Sequence, residues 1–435
     1  MKKKWLIGLM ALCLTCATVA FVGCGESDSG NGDNAGGGTN TEQGGENETP
    51  TPEKPDGGES GEGGTPTPEK PEEEEKASIG LEYELREDGT YYIVTGIGTC
   101  TNTDIVIPST YNEKPVKAIG DEAFYKCANL KSVVIGDSVT TIGVGAFYSC
   151  ARLTEIVIPD SVTTIGWSAF ENCTNLTSVV IGDSVTTIGD WAFVGCTNLT
   201  SVEIGDSVTT IGEYAFCGCT NLTSVEIGDS VTTIGDYAFS GCMGLTEIVI
   251  PDSVTTIGEG AFAGCNNLTS IKVSANNANY KDIDGNLYTK DGKTLSQYAI
   301  GKTATSFTVP NGVATIGDKA FYNCTGLTEI VIPDSVTTIG DWAFYGCTGL
   351  TEIVIGDGVT TIGNYAFSGC TGLTEIVIPD SVTTIGGSAF YGCAGLTSIT
   401  FNGTVEEWNK IEKGYRWNDD VPATKVVCDD GEVEI

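Results

Sequence analysis

The chain has 435 residues, 40% of them apolar, a formal charge of −36 and no histidine. Acidity on that scale repels nucleic acid and anionic lipid surfaces and sets both aside as partners. The missing imidazole excludes Ser-His-Asp and Cys-His catalysis and every His-based metal site.

Residues 1–23 read as a secretory signal, with Lys2, Lys3 and Lys4 as the charged start and Trp5 to Val22 as the apolar core. The core is borderline in length for a membrane span. Phe21-Val22-Gly23-Cys24 resembles a bacterial lipobox, and that resemblance implies cleavage before Cys24 and lipidation of its thiol. Residues 24–76 follow with Gly, Glu, Thr and Pro, and the string T-P-T-P-E-K-P occurs twice. Such a composition buries too little apolar surface to fold and reads as an acidic, disordered tether.

Residues 77–118 read as an N-terminal cap, with a hairpin from Leu81 to Thr95 turning at Glu87-Asp88-Gly89. Residues 119–273 carry seven copies of a 23-residue unit, and residues 311–400 carry four more. The consensus is L-T-E-I-V-I-P-D-S-V-T-T-I-G-D-x-A-F-x-G-C-T-G. A period between 20 and 29 residues with this spacing of Leu and Ile means stacked coils of a leucine-rich-repeat solenoid. In the copy from Leu327 to Gly349, Thr328 to Ile332 alternates and reads as a short parallel strand, with Leu327, Ile330 and Ile332 inward. Pro333-Asp334 turns the chain, and Val336 to Ile339 is a second extended piece. Asp341 fits an N-cap before a short helical turn through Ala343-Phe344. No coil buries its apolar face alone, so each depends on its neighbours.

Residues 274–310 break the period: Cys265 and Cys324 lie 59 residues apart where the repeat is 23. Asp284-Gly285 and Asp291-Gly292 mark turns there, so the stretch reads as a small β excursion, either a lateral binding arm or a kink. Residues 401–435 read as a C-terminal cap, with a helix from Val405 to Ile411, Trp408, Trp417 and a strand Lys425 to Cys428.

The pattern I-G-x-x-A-F-x-G-C-x-x-L-x-x-I-x-I-P resembles the BspA-like leucine-rich-repeat surface lipoproteins and antigens. The island from Asn279-Tyr280 through Leu295 is similar to the one that separates repeat blocks in that family. The resemblance runs from about Leu81 to the C-terminus. It implies display outside a bacterial cell on a membrane anchor and, for some members, adhesion to host matrix proteins or other cells. It carries over no catalytic or binding residue. The expected fold is therefore an α/β leucine-rich-repeat solenoid of short parallel strands and short helical turns, with a β-hairpin N-cap and an irregular C-cap.

Four residue sets are candidates for function. Eleven of the 17 cysteines share one repeat position and read as buried structural thiols, although disulfides between adjacent rungs are conceivable. Cys217 stands off that column and is expected to be the most exposed. The recurring acids, among them Asp160, Asp183, Asp206 and Asp229, are a solvated face or a calcium-binding one. The aromatic set is Trp167, Trp191, Tyr214, Tyr237, Trp342, Tyr345 and Tyr365, a flank that either binds a partner or covers the seams between rungs. Trp342 and Tyr345 are spaced to share one helical face. Val157, Val180, Val249, Val331, Val354 and Val377 form an outward stripe on the opposite surface, interrupted by Glu203, Glu226 and Lys272.

No catalytic, cofactor or metal motif accompanies these sets, so the chain reads as a non-enzyme without a cofactor. The expected function is lipid-anchored surface binding of a protein or glycan ligand, with adhesion to host matrix or other cells leading. Glycan capture and a passive spacer or antigen are the alternatives.

Overall fold

A computed structural model describes residues 76–435, which form one compact unit. The signal segment, Cys24 and most of the tether lie outside the described residues.

The unit is a β-solenoid with two lines of parallel strands. One line is built from Thr-Ile pairs, from Thr141–Ile142 through Thr256–Ile257 in one sheet and from Thr315–Ile316 to Thr384–Ile385 in the next. The other is built from strands such as Glu155–Ile158 and Ser178–Ile181, or Glu329–Ile332 and Glu352–Ile355. Within the repeat blocks the register is one repeat, so Thr187 pairs with Thr164 and Thr210, and identical side chains stack.

Stacking gives each column one job. Phe147, Phe170, Phe193 and Phe216 are fully buried, with successive centroids 5.1 to 5.2 Å apart and nearly parallel planes. The Phe170 carbonyl accepts both the Cys173 N–H and the Cys196 thiol, at 3.1 and 3.2 Å. The cysteine thus fills core space and satisfies a buried oxygen on the preceding rung. The described cysteines form no disulfide. Thr163 and Thr186 donate their hydroxyls to the carbonyl of the threonine one rung earlier. Gly189 lies so close to the preceding rung that a Cβ there would sit 2.7 Å from the Gly166 carbonyl carbon and the Ile165 oxygen. Only glycine permits strand-like spacing at that corner.

The expected helical turns are absent. The one α-helix among the described residues is Val405–Lys410, capped reciprocally by Thr404 and Glu407. In each repeat the residue two before phenylalanine takes a left-handed conformation, with φ of 65° at Trp191 and 53° at Trp342. That reversal interrupts a right-handed helix. Alternate N–H groups then turn outward to the next rung: Trp191 to Glu213, Phe193 to Ala215, Gly195 to Cys217. Those between them close four-residue turns, as Val194 does on Trp191. The segment is a ladder of turns, so the architecture is almost purely β.

At the N-terminal end, Glu82–Leu85 and Tyr92–Gly96 pair antiparallel, and the second strand joins Lys114–Ile119 in parallel. The irregular stretch is built into the stack and does not project as an arm. Tyr280–Ile283 and Asn286–Thr289 form a hairpin, and Thr294–Gln297 passes the pairing on to Thr315–Ile316. Leu287 closes the first core and Tyr288 opens the second. Tyr298 stacks on Phe321 at 5.0 Å and heads the second phenylalanine column. At the far end Trp417 meets Phe390 edge-on and ends that column.

Candidate interaction surface

The ladder of turns aims one side chain per rung outward at its left-handed position. On three consecutive rungs this side chain is Trp191, Tyr214 and Tyr237; successive ring centres are 4.8 Å apart, with Trp191 tilted 37° to Tyr214 and Tyr214 stacked on Tyr237. On two rungs beyond the island it is Trp342 and Tyr365, with planes 1° apart at 5.4 Å. Gly260 occupies the position after Tyr237 and offers no ring. The gap is filled from the other side of the island. Lys319 places its ammonium 5.0 Å from the Tyr237 ring centre and 4.8 Å from that of Trp342, and it pairs with Glu259 at 2.7 Å. A Cβ on Gly260 would meet the Lys319 stem at 3.0 Å. The two ring stacks thus become one stripe with a lysine at its centre.

Lys319 is only 5% exposed at its side chain. Burial opposes its charge, but the hydrogen bonds to Glu259 and Tyr237 outweigh it and hold the ammonium above its ordinary range. Removing it leaves Glu259 and two ring faces without their cation. Lys319→Ala is expected to cost about 2–5 kcal/mol, the sum of about 0.5–2 for a cation–π contact and about 1.5–3 for a lost charged hydrogen bond. Urea unfolding of the variant measures this; an unchanged midpoint would remove Lys319 as a staple between the blocks.

The seven aromatic candidates do not form a single group. Trp191, Tyr214, Tyr237, Trp342 and Tyr365 make the stripe. Tyr345 belongs to a neighbouring column and stacks on Tyr322 at 5.0 Å. The shared helical face expected for Trp342 and Tyr345 does not exist, because rings pair along the solenoid and not within a turn. Trp167 stands one position off the stripe, 37% exposed, on the column continued by Asp190. Ser168 takes the stripe position on that rung, and Ser388 takes it beyond Tyr365. Trp191 and Tyr365 are therefore the end rings.

Acids border the stripe directly: Asp190, Glu213 and Asp236 each precede a stripe ring in sequence. Asp190 accepts the Glu213 N–H at 2.9 Å, and Asp236 accepts the Glu259 N–H at 2.8 Å. Asp341 does the same for Asn364, at 2.7 Å, and so bonds across rungs where an N-cap was expected. Burial, then the charges of Asp190 and Asp236, push the Glu213 carboxyl above its usual range. The turn acids are also used structurally, as Asp160 holds the Asp183 N–H at 3.1 Å.

Cys217 is 7% exposed, against the expectation that it would be the most accessible thiol. It lies in the column of buried Val194, and its carbonyl takes the Gly195 N–H of the preceding rung, which folds it inward. Cys100 and Cys127, at the N-terminal end, are the more accessible described thiols. On the sheet face, Val157, Val180, Val249, Val354 and Val377 are exposed as expected, while Val331 is half-buried.

The repeat pattern alone does not single out Lys319 and Gly260. Their signal was a column otherwise rich in aromatics that carries a glycine on one side of the island and a lysine on the other.

Comparison with known families matches the BspA type leucine rich repeat region in six copies, over residues 98–219, 187–290 and 293–411. Among solved structures, the chain is similar to a leucine rich cell surface protein from Faecalibacterium prausnitzii. The two are 31% identical over 78% of this chain and 97% of that one, with a TM-score of 0.58. A leucine-rich repeat protein from Bacteroides ovatus is 28% identical over 81% and 94% of the respective chains, with a TM-score of 0.54. The pneumococcal vaccine antigen PcpA shares the fold at 20% identity, over 82% and 87%, with a TM-score of 0.58. The comparison with curated proteins gave no match.

Proposed function

The chain belongs to the BspA-type leucine-rich-repeat family, a class of non-enzymatic scaffolds, and on that premise we propose that it is a lipid-anchored adhesion protein of the bacterial surface. Cys24 carries the anchor, and the acidic segment of residues 24–76 links it to the solenoid. The solenoid contacts a protein ligand, on host matrix or on another cell.

One observation carries the choice of a protein over a glycan. Sugars stack on open aromatic faces, whereas the stripe rings cover one another at 4.8 to 5.4 Å. What remains outward is ring edges, two end rings and a row of carboxylates. This is a mixed polar and apolar rim of the kind protein partners use. Repetition on a rigid support adds weak contacts when one partner spans several rungs.

Two experiments test the reading. Cys24→Ala is expected to move the protein from the cell envelope to the culture fluid, seen by fractionation; full retention in the envelope would contradict a lipid anchor at this residue. Cells displaying the protein should attach to a surface coated with matrix protein better than cells lacking it. Equal attachment across a panel of matrix proteins and cell types would favour the spacer or antigen reading.

A further inference from the structure

Charge is distributed in a way the repeat itself does not require. Between Arg152 and Lys272 the chain holds no lysine or arginine, and between Lys319 and Lys410 again none. Acids recur on every rung of those stretches. The repeat block before the island therefore presents an aromatic stripe and an acid column with no cation of its own nearby. Where the stripe does meet a cation, the contact is fully built: Lys319 sits between Tyr237 and Trp342 with the Glu259 carboxylate at 2.7 Å. The same elements lie side by side one to three rungs earlier, in Asp190 and Trp191, Glu213 and Tyr214, and Asp236 and Tyr237. Trp191 ends the stack, because Ser168 precedes it, and exposed Trp167 stands one rung earlier on the Asp190 column.

We infer that the flank formed by Trp191, Tyr214, Tyr237, Asp190, Glu213 and Asp236 docks a lysine- or arginine-rich segment of a partner protein. The partner's cationic groups pair with the acid column, their methylene stems lie along the ring edges, and one cation caps Trp191. Lys319 is the intramolecular version of that contact. Neighbouring carboxylates that repel one another gain most from such a partner; Glu213 is pushed up first by burial and then by the charges of Asp190 and Asp236. The inference rests on the surface-binding reading and specifies the chemistry of its partner.

The test uses the full chain and a fluorescent twelve-residue peptide alternating lysine and serine. It is run at about 0.15 M salt, where charges more than about 8 Å apart are largely screened. The flank variant is Asp190→Asn, Glu213→Gln, Asp236→Asn. It leaves the fold intact because an amide oxygen serves equally in that ladder: Asn364 accepts the Gly387 N–H at 2.8 Å. The control, Asp183→Asn, Asp206→Asn, Asp229→Asn, removes the same charge from the turn column. A second probe of the flank, Trp191→Phe with Trp167→Ala, changes rings and no charge. The expected result is peptide binding about tenfold weaker in the flank variant, a smaller loss in the ring variant and near-parent binding in the control. Equal loss in flank and control variants means diffuse attraction to an acidic protein and overturns the proposal, as does no peptide binding by the parent. Undiminished binding of a matrix protein by the flank variant would leave adhesion standing and overturn this surface as its site.

Discussion

Raising the pH above 9 is expected to unfold the solenoid within about one to two pH units, because its thiols must stay protonated to remain inside. Burial pushes Cys150, Cys196 and Cys265 up to about 12, and it raises Cys173, Cys242, Cys324 and Cys370 as well. Unfolded thiols ionise near their ordinary value. The stabilisation from each buried thiol is therefore complete below pH about 9 and is lost as pH rises toward the folded value. Each such thiol contributes about 1.4 kcal/mol of loss per pH unit, so seven together contribute roughly 10. That is comparable to the whole stability of a folded domain, about 5–15 kcal/mol. The thiolate absorbance of the buried column should appear together with the loss of the circular dichroism signal, apart from what the more accessible Cys100 and Cys127 contribute. Ionisation of the buried thiols in a variant lacking Cys100 and Cys127, while the β signal persists, would contradict the buried ladder.

Phe216→Ala is expected to cost about 3–5 kcal/mol, the range for removing a fully buried aromatic side chain. Phe216 is sandwiched between Phe193 at 5.2 Å and Phe239 at 5.4 Å, so one deletion breaks two ring contacts. Coils interact only with their neighbours, and the loss should be local. Hydrogen exchange should accelerate most in the rungs around 193–239, while the block from Thr315 onward keeps its protection. Phe216→Leu, which retains most of the volume, should cost about 1.5 kcal/mol or less. Uniform loss of protection along the whole unit would mean that the solenoid unfolds as a single cooperative body.

Both results depend on columns, and columns were legible in the sequence. A strict 23-residue period puts Phe on Phe and Cys on Cys without further information. The turn was not legible, because D-W-A-F carries a good helix start and nothing in Trp342 announces a left-handed backbone. Only the alternation of N–H bonds within and between rungs, visible in three dimensions, stabilises that conformation for a non-glycine residue. Cys217 misled for the same reason, since a helical turn would have exposed it where the ladder buries it. The aromatic flank was legible as a list and not as an object. Trp342 and Tyr345 are close in sequence and belong to different columns, whereas Tyr237 and Lys319 are far apart and touch. The island hid that contact by breaking the period on which the reading relied.

Direct binding of the purified full chain to immobilised matrix proteins and a glycan panel tests the central claim, a surface solenoid that docks a protein ligand on its aromatic and acidic flank. Saturable binding to at least one protein is expected, unaffected by soluble sugars and weakened in Asp190→Asn, Glu213→Gln, Asp236→Asn. Binding confined to glycans and abolished by free sugar, or no binding to any ligand on the panel, would contradict it.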